Sequence, residues 1–470
     1  MPSRRVLVLV DGEHYPPVVR AAIDELRTSG DRDIVGAVML GGGEKLRADV
    51  RADYGVDLVT GSTPLAALLE GIEQFRPDEI VDLSDAPVVD ARSRMRLAAH
   101  ALHRGVRYRG ADFAFVPPPR PRLAEKPSIA VIGTGKRTGK TAVAAAVARV
   151  LAAEQRRAVI VAMGRGGPAD PEVIDPVTTD LSPTALLARA EAGRHAASDH
   201  LEDALAAGVV TVGTRRCGGG LAGAPVSSTF AAGVALANER PEPLLVLEGS
   251  GAAIPPVHAD ATVCVMPGSA DPEVATGYLG PYALLLSDLV VITLSDVPPP
   301  PGSSRAAIRS LATPVLEDRL RDIAPETPIL RTVLRPWPLA SIEGRSIFFA
   351  TTAPEPIAAR AAAHLESRHR ATVVGRTSHL AERARLVEDL AGMPTSVEVL
   401  VTELKAAAVD VATRAALERG MEVIYCDNRP EPVVTSDDHD GAHEAFDTAV
   451  RAVADLATER FAGSQATKST

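Results

Sequence analysis

The stretch from Ser128 to Leu151 constrains the fold of this chain more than any other. It opens with Ile129–Ile132, a short apolar run rich in β-branched residues, as expected of a buried parallel strand. A loop with three glycines follows over Gly133–Gly139, and an alanine- and valine-rich run that favours helix begins at Thr141. A strand, a glycine-rich loop, Gly-Lys-Thr and a helix in this order predict a phosphate-binding loop, or P-loop.

The loop supplies the groups that bind a phosphate chain. Glycine lets backbone N–H groups turn toward phosphate oxygens, and the helix N-terminus adds its dipole. Lys140 is expected to reach the β- and γ-phosphates of a nucleotide, and the Thr141 hydroxyl is expected to hold Mg²⁺. Thr134 stands where the usual pattern has glycine, and a second lysine, Lys136, lies inside the loop. The predicted nucleotide-binding residues are Gly133, Thr134, Gly135, Lys136, Arg137, Thr138, Gly139, Lys140 and Thr141.

Composition and charge exclude several classes of protein. The chain has 470 residues, 46% of them hydrophobic, which allows two to three domains with large cores. A net charge of −10 argues against a nucleic-acid binder. Cys217, Cys264 and Cys426 are far apart, which fits a reducing cytosol and neither a disulfide framework nor a zinc site. No apolar run is long enough to cross a membrane, so we expect a cytoplasmic protein without a membrane partner.

Residues 1–115 are predicted to form a small Rossmann-like α/β domain. Apolar runs at Val6–Val10 and Ile34–Leu40 alternate with helical segments, as in a parallel sheet. Ligands of such sheets bind beyond the carboxyl ends of the strands. Asp11, Glu13 and His14 lie at such an end, and the sequence leaves open whether they form a binding site or only a turn.

The rest of the chain is predicted to hold one large catalytic domain. Residues 116–128 are rich in proline, which predicts a semi-rigid linker. From 129 to 460, alternating strands and helices predict a P-loop NTPase domain with a mostly parallel, doubly wound sheet, and its last α/β tract begins at about 371. Residues 461–470 are small and polar, which predicts a disordered tail.

Glu248 is the predicted partner of the P-loop in metal binding. It follows the apolar run Leu244–Leu247 and precedes Gly-Ser-Gly. A carboxylate that ends a buried strand beside a P-loop strand is the usual second position for Mg²⁺. The sequence therefore predicts that Thr141 and Glu248 hold the metal, and that a substrate approaches Gly249 and Ser250.

Basic residues follow two other predicted strands. Arg165 lies in a glycine-rich loop after Val159–Met163, and Arg215 and Arg216 lie in another after Val209–Val212. The planar guanidinium group suits phosphate oxygens, and neighbouring glycine N–H groups build anion-binding sites. We therefore expect these arginines to bind an anionic substrate.

Together with Lys136, these arginines indicate a highly anionic second substrate beside the nucleotide. The alternative is that one or two of them pair with acidic residues such as Asp170 or Glu172. His195 and Asp199 lie in a stretch predicted to be helical, where a surface histidine and a local cap are the ordinary roles.

These motifs resemble the cyclic 2,3-diphosphoglycerate synthetase family. The resemblance covers the whole chain and rests on Asp11–Tyr15, Gly133–Thr141, Gly164–Pro168 with the following Asp170–Glu172, and Glu248–Gly251. The P-loop core and Glu-Gly-x-Gly are also similar to dethiobiotin synthetase and related ATP-dependent ligases, in the class that signal-recognition GTPases and Min-type ATPases typify. The Gly-Thr-Gly-Lys-Arg string and the N-terminal domain favour the first family.

The resemblance implies an ATP-dependent ligase that closes the intramolecular phosphoanhydride of cyclic 2,3-diphosphoglycerate. The substrate would be 2,3-diphosphoglycerate, the cofactors ATP and Mg²⁺, and the products ADP and phosphate. The expected catalytic residues are Lys136, Lys140, Arg165 and Glu248. The expected substrate-binding residues are Arg165, Arg215, Arg216, Gly249 and Ser250. A homodimer is the expected assembly, and whether Lys136 acts within its own subunit is open.

Two other functions stay open at this point. A ligase of the dethiobiotin-synthetase type would bind a carboxylate substrate and need fewer phosphate-binding arginines. A switch ATPase that dimerises around its nucleotide would carry its signature lysine at position 135, but this chain has Gly135 there and Lys136 next. That displacement weakens the switch alternative.

Overall fold

Apolar runs alternate with helical segments along the chain, and the structure, a computed structural model, confirms the α/β class that this alternation predicts. It describes residues 3–28, 30–42, 53–295, 313–433 and 439–468. The chain divides into two compact units. The first comprises Met1–Pro118, Pro272–Leu286 and Asp322–Ala324, and the second comprises Pro119–Asp271, Ser287–Arg321 and Pro325–Thr470.

The strands, numbered along the described ranges, carry most of the apolar runs. They are β1 (Arg4–Val10), β2 (Arg32–Met39), β3 (Leu58–Val59), β4 (Glu79–Asp82), β5 (Arg107–Arg109), β6 (Ala114–Phe115), β7 (Ser128–Gly133), β8 (Ala158–Gly164), β9 (Glu172–Ile174), β10 (Thr211–Cys217), β11 (Ser227–Ser228), β12 (Leu244–Glu248), β13 (Ala261–Pro267), β14 (Leu289–Thr293), β15 (Ile329–Pro338), β16 (Ser346–Ala350), β17 (Thr372–Thr377), β18 (Val399–Glu403) and β19 (Glu422–Pro432).

Helices connect most of these strands. They are α1 (Pro16–Thr28), α2 (Pro64–Phe75), α3 (Ala91–His103), α4 (Lys140–Ala153), α5 (Pro183–Glu191), α6 (Asp199–Ala207), α7 (Phe230–Asn238), α8 (Pro272–Ala275), α9 (Gly280–Leu285), α10 (Thr313–Arg321), α11 (Glu355–His369), α12 (Arg383–Ala391), a π-helical turn (Ala408–Thr413), α13 (Arg414–Glu418) and α14 (His439–Lys468).

The first unit is built on a six-stranded sheet in the order β3-β2-β1-β4-β5-β6. Neighbouring strands are parallel except β5 and β6. This order confirms the Rossmann-like topology. Two later segments, Pro272–Leu286 and Asp322–Ala324, also belong to this unit. The predicted N-terminal domain, residues 1–115, did not include them.

Asp11 directly follows β1, and the structure shows it closing a turn. Its carboxylate accepts hydrogen bonds from the backbone N–H groups of Glu13 and His14, both at 3.0 Å, and of Asp85 at 2.8 Å. The Nδ1 atom of His14 lies 2.8 Å from the same carboxylate. A carboxylate held in this way fixes the backbone after the strand.

The second unit contains a larger sheet in the order β11-β10-β8-β12-β7-β13-β14-β15-β19-β18-β16-β17, with β9 also paired to β10. Strand β7 lies between β12 and β13 and is buried along its whole length, as its β-branched run predicts. Neighbours from β10 to β15 are parallel. The antiparallel pair β15–β19 then joins the parallel strands β18, β16 and β17 to the same sheet.

The end of the chain differs from the prediction. Helix α14 runs through Phe461 to Lys468, so the disordered tail predicted from composition is wrong for these residues. The buried side chains of Phe446, Val450 and Val453 pack into the core around β7, and this packing explains why a polar sequence continues as a helix.

The part of the proline-rich segment that lies in the second unit, residues 119–128, is held there by hydrogen bonds. The Asn238 side chain donates to the carbonyl of Leu123 at 2.9 Å, and the backbone N–H of His258 donates to the carbonyl of Pro121 at 3.0 Å.

None of the described helices has both the length and the hydropathy that a membrane-spanning helix needs.

Candidate functional site

The P-loop follows β7 and surrounds the side chain of Lys140. Gly133, the last residue of β7, leaves room for that side chain, because a Cβ atom there would lie 2.7 Å from Lys140 Cδ. Lys140 is 7% exposed, and its Nζ donates to the carbonyl of Gly135 at 3.0 Å. Thr134 has no left-handed backbone, so the glycine of the usual pattern is not required there.

The loop leaves the N-terminus of α4 open to an anion. Gly139 adopts φ 84° at the N-cap and no side chain caps the helix, so its first N–H groups are available. Arg137 also has a left-handed backbone, with φ 61°. Thr293 Oγ1 donates to the carbonyl of Thr138 at 2.7 Å and anchors the loop from β14.

Glu248 ends β12 directly beside the loop. Thr141 Oγ1 donates to Glu248 Oε1 at 2.8 Å, which brings together the two residues predicted to hold a metal. Glu248 is 2% exposed, and its Oε2 has no hydrogen-bond partner among the described residues. Burial and then the negative charge of Asp199 raise the pKa of Glu248 to about 7, although Lys140 and Thr141 act against this shift.

Helix α6 adds a second carboxylate, that of Asp203. Asp203 is fully buried, and neither of its oxygens has a hydrogen-bond partner within the described part of the chain. Burial and the neighbouring Glu248 raise its pKa well above the usual value. Two negative charges on Glu248 and Asp203 would repel each other. A proton shared between the carboxyls would make them hydrogen-bond partners, and a bound cation would also relieve the repulsion.

These groups suit Mg²⁺. The ion prefers carboxylate and hydroxyl oxygens, and it usually keeps several waters or substrate phosphates as its other ligands. Glu248 and Thr141 supply two such oxygens, and Glu248 Oε2 is without a hydrogen-bond donor. The described residues hold no cluster of three or more His, Cys, Asp or Glu side chains with metal-binding geometry, so phosphates and waters would complete the shell.

Two arginines converge over the turn that follows Glu248. A Cβ atom on Gly251 would lie 2.6 Å from Nη2 of Arg165 and 3.2 Å from Nη2 of Arg216. Arg216 donates to the carbonyl of Ser250 at 2.7 Å. Burial and then the charge of Arg165 lower the pKa of Arg216. Two guanidinium groups so close, without a carboxylate ion pair among the described residues, favour an anion.

Other predicted residues take different positions. Strand β10 extends to Cys217, so Arg215 and Arg216 lie within the strand and not in a loop after Val212, which corrects the prediction. The Arg215 side chain is exposed and does not line the cavity described below. Gly249 fits the tight turn there, because a Cβ atom would lie 2.6 Å from the carbonyl of Ala253.

The alternative partner for the arginines, Glu172, is occupied elsewhere. It pairs with Arg189 and Arg194, and His200 Nε2 lies 3.5 Å from it. These contacts outweigh the effect of burial and hold the pKa of Glu172 well below its usual value. His195 precedes α6 instead of lying within a helix, so its predicted helical position is wrong.

A cavity of about 450 Å³ lies within the second unit, and Arg165 and Glu248 line it, whereas Arg216 and Asp203 lie outside its lining. Its lining includes the P-loop, with the exposed Lys136 and Arg137, and Arg165, Asp199, Glu248 and Ser250. The C-terminal strands contribute another part of its wall, with Glu403, Lys405 and Asn428. Phe349 and Ile357 make that part of the wall more apolar.

Comparison with known proteins identifies the relationship. Three domain profiles of one family match successive parts of the chain: the N-terminal domain of cyclic 2,3-diphosphoglycerate synthetase at residues 5–116, its P-loop domain at 128–333 and its C-terminal domain at 338–429. The chain belongs to the cyclic 2,3-diphosphoglycerate synthetase family.

Individual relatives agree with the family profiles. A cyclic 2,3-diphosphoglycerate synthetase of Rubrobacter xylanophilus is 46% identical over 91% of this chain and 94% of its own length. Those of Methanothermobacter thermautotrophicus and Thermococcus gammatolerans are 41% and 44% identical over 98% and 90% of this chain, and 98% and 93% of their own lengths. The predicted resemblance is therefore confirmed.

The sequence analysis missed several residues of this candidate site. Asp203 lies four residues after Asp199 on α6, a spacing that places both on one helix face and could have identified the pair. Glu403, Lys405 and Asn428 belong to the family's C-terminal domain, and no local motif marks them.

Proposed function

We propose that this protein is an ATP-dependent synthetase that converts 2,3-diphosphoglycerate to cyclic 2,3-diphosphoglycerate, with release of ADP and phosphate. Family membership over nearly the full chain supports the substrate. The observation that carries the chemistry is the convergence of Arg165 and Arg216 beside the P-loop and Glu248. ATP and 2,3-diphosphoglycerate are both polyanions, so the reaction needs cations for the nucleotide and for the second substrate.

The reaction consists of two phosphoryl-transfer steps. One phosphate of the substrate attacks the γ-phosphorus of ATP and ADP leaves. The second substrate phosphate then attacks the phosphorus of the first, which forms the ring anhydride and expels the transferred group as inorganic phosphate. Both steps bring anions together, so charge neutralisation and positioning supply most of the catalysis.

Residues of this chain divide these tasks. Lys140 and the open N-terminus of α4 bind the β- and γ-phosphates of ATP. Arg165 and Arg216 hold the substrate beside the Ser250 turn. Lys136, exposed on the loop, is free to approach the transferred group. Arg215, the other arginine predicted to bind substrate, is exposed and is not one of the two that converge beside Gly251, so we assign it no contact in the proposed reaction.

Mg²⁺ would be held by Thr141 and Glu248, and its charge would stabilise the phosphate oxygens of bound ATP. Asp203 shares the buried environment of Glu248, and it would hold the proton that metal binding releases from Glu248. The homodimer and the cytoplasmic location remain predictions. The free state of Cys217, Cys264 and Cys426 is consistent with a reducing compartment.

Phosphorus NMR tests the proposal. Purified protein with ATP, Mg²⁺ and 2,3-diphosphoglycerate is expected to yield ADP, inorganic phosphate and upfield phosphoanhydride signals distinct from those of ADP. Lys140→Ala is expected to yield none of them, because the P-loop would lose the buried cation that it surrounds. If folded wild-type protein leaves ATP and 2,3-diphosphoglycerate unchanged, the proposed reaction is wrong.

A further inference from the structure

Lys405 is a cation in the part of the cavity wall that the C-terminal strands contribute. It follows β18, lines the cavity, and keeps 35% of its side chain exposed. Its Nζ lies 2.9 Å from Oε1 of Glu202 on α6. A lysine ammonium has three N–H donors, and this ion pair uses one of them.

The surroundings keep Lys405 charged. Burial disfavours the cation, but Glu202 and then Glu403 outweigh burial and raise the pKa of Lys405 above its usual value. Glu403 does not depend on this lysine for its hydrogen bonds. It accepts from the backbone N–H and the hydroxyl of Thr352, both at 2.9 Å, and from the Asn428 amide at 2.7 Å.

Asp199 relates Lys405 to the reacting groups. Its negative charge favours the charged forms of Lys140, Arg216 and Lys405, although burial outweighs it and lowers the pKa values of Lys140 and Arg216. Lys140, Arg165 and Lys405 also line the same cavity as Asp199. The substrate of the proposed reaction must reach the same region, because its phosphate attacks the nucleotide held by Lys140.

We propose that Lys405 is a substrate-binding residue, whose ammonium contacts the phosphate of 2,3-diphosphoglycerate that Arg165 and Arg216 do not hold. The inference rests on the proposed function and extends it to a residue of the C-terminal domain. A substrate with two phosphates and a carboxylate needs cations at more than one point of the cavity. Lys405 supplies one from a part of the chain that contains no nucleotide-binding motif.

The competing explanation is that Lys405 only neutralises the buried Glu202. Three variants separate the two: Lys405→Met, Glu202→Gln and the double variant. Burial raises the pKa of Glu202 and Lys405 opposes that shift, so this carboxyl takes up a proton more readily when the lysine is absent. The double variant carries neither the lysine nor the Glu202 carboxylate, so it leaves no unpaired charge at this position that could prevent folding.

The measurement is the affinity for 2,3-diphosphoglycerate in the presence of a non-hydrolysable ATP analogue and Mg²⁺. Lys405→Met is expected to weaken it by roughly 10- to 100-fold, the effect of losing a hydrogen bond to a charged group. The double variant is expected to stay equally weak. Glu202→Gln is expected to bind as wild type does or more tightly, and affinity for the nucleotide analogue is expected to change less than about threefold throughout.

The two monophosphates, 2-phosphoglycerate and 3-phosphoglycerate, locate the contact. With the monophosphate that lacks the phosphate bound by Lys405, wild type and Lys405→Met are expected to have equal affinity. With the other monophosphate, the difference between the two proteins is expected to persist.

Three results would overturn the proposal. Recovery of 2,3-diphosphoglycerate affinity in the double variant would show that Lys405 acts only on Glu202. Equal losses with both monophosphates would exclude a direct phosphate contact. Unchanged affinity in Lys405→Met would exclude any role in binding, while leaving the proposed function intact. Absence of binding by wild type would instead contradict the proposed function itself.

Discussion

Asp11 in the N-terminal unit and Glu248 in the P-loop unit occupy equivalent positions in their sheets. Each is the acidic residue at the carboxyl end of a buried parallel strand, each precedes a glycine, and they are 1% and 2% exposed. Their surroundings differ. Asp11 accepts three backbone hydrogen bonds and lies beside His14, whereas Glu248 accepts one from Thr141 and its Oε2 has no donor in the part of the chain that the structure describes.

The electrostatic consequences are opposite. For Asp11, burial raises the pKa, but the hydrogen bonds outweigh burial and lower it below the usual value. For Glu248, burial and Asp199 raise the pKa to about 7. A carboxylate whose hydrogen bonds are complete stabilises a turn, whereas one buried without enough donors is stabilised only when a cation or proton arrives. The comparison therefore favours a structural role for Asp11, and it supports the role in metal binding that we propose for Glu248.

Removing each charge tests this contrast most strongly. Glu248→Gln is expected to lower turnover about 1000-fold, because Gln keeps the size of the side chain but cannot replace the carboxylate of a metal site. Asp11→Asn is expected to leave turnover per folded molecule unchanged. Rates of ADP release with saturating ATP, Mg²⁺ and 2,3-diphosphoglycerate measure both. Loss of turnover in folded Asp11→Asn would contradict the structural role of Asp11.

The neighbouring residues Arg215 and Arg216 allow a second comparison, between an exposed arginine and one whose guanidinium lies close to that of Arg165. Arg216→Gln is expected to raise KM for 2,3-diphosphoglycerate by roughly 10- to 100-fold, because its guanidinium converges with that of Arg165. Arg215→Gln, the matched control on the exposed side of β10, is expected to change KM by less than about threefold. Equal effects of the two substitutions would show that Arg215 also contacts substrate.

The pH dependence of stability is the smallest of the expected effects, and its direction is expected to be opposite for Glu248 and Asp11. Below about pH 4.5, Glu248 is protonated in both the folded and the unfolded protein. As pH rises from there to 7, the unfolded state loses this proton first, so wild type loses stability. Glu248→Gln is therefore expected to be more stable than wild type at pH 7 by on the order of 1–3 kcal/mol, and equal to it below pH 4.5.

Asp11→Asn is expected to show the reverse. Its depressed folded-state pKa contributes stability above the unfolded value of 3.8, and this contribution is lost as pH falls through the folded value. The variant is expected to be less stable than wild type at pH 7 by about 1–3 kcal/mol, with a smaller difference in acid. Thermal unfolding without ligands measures both differences. The same pH trend in the two variants would contradict the comparison.

Much of the fold and part of the site could be predicted from the sequence. The P-loop could be predicted because its glycines, Lys140 and Thr141 lie within one short stretch of sequence, and Glu248 could be predicted because it ends an apolar run. The length of β10 could not be predicted, because pairing with β8 and β11 extends the strand beyond its apolar residues. The helical end of the chain was missed for a similar reason, since its helix is stabilised by packing against the core around β7.

The sequence by itself determined the phosphate-binding loop, the α/β class and the family, because each depends on residues that are adjacent in the chain or on its overall order. Only the tertiary structure decided that Arg165 and Arg216 converge, that Asp203 is buried beside Glu248, and that Lys405 lines the same cavity. These residues lie on separate strands and helices. Their distances and burial, which set the charges of the site, arise only when the sheet brings those elements together.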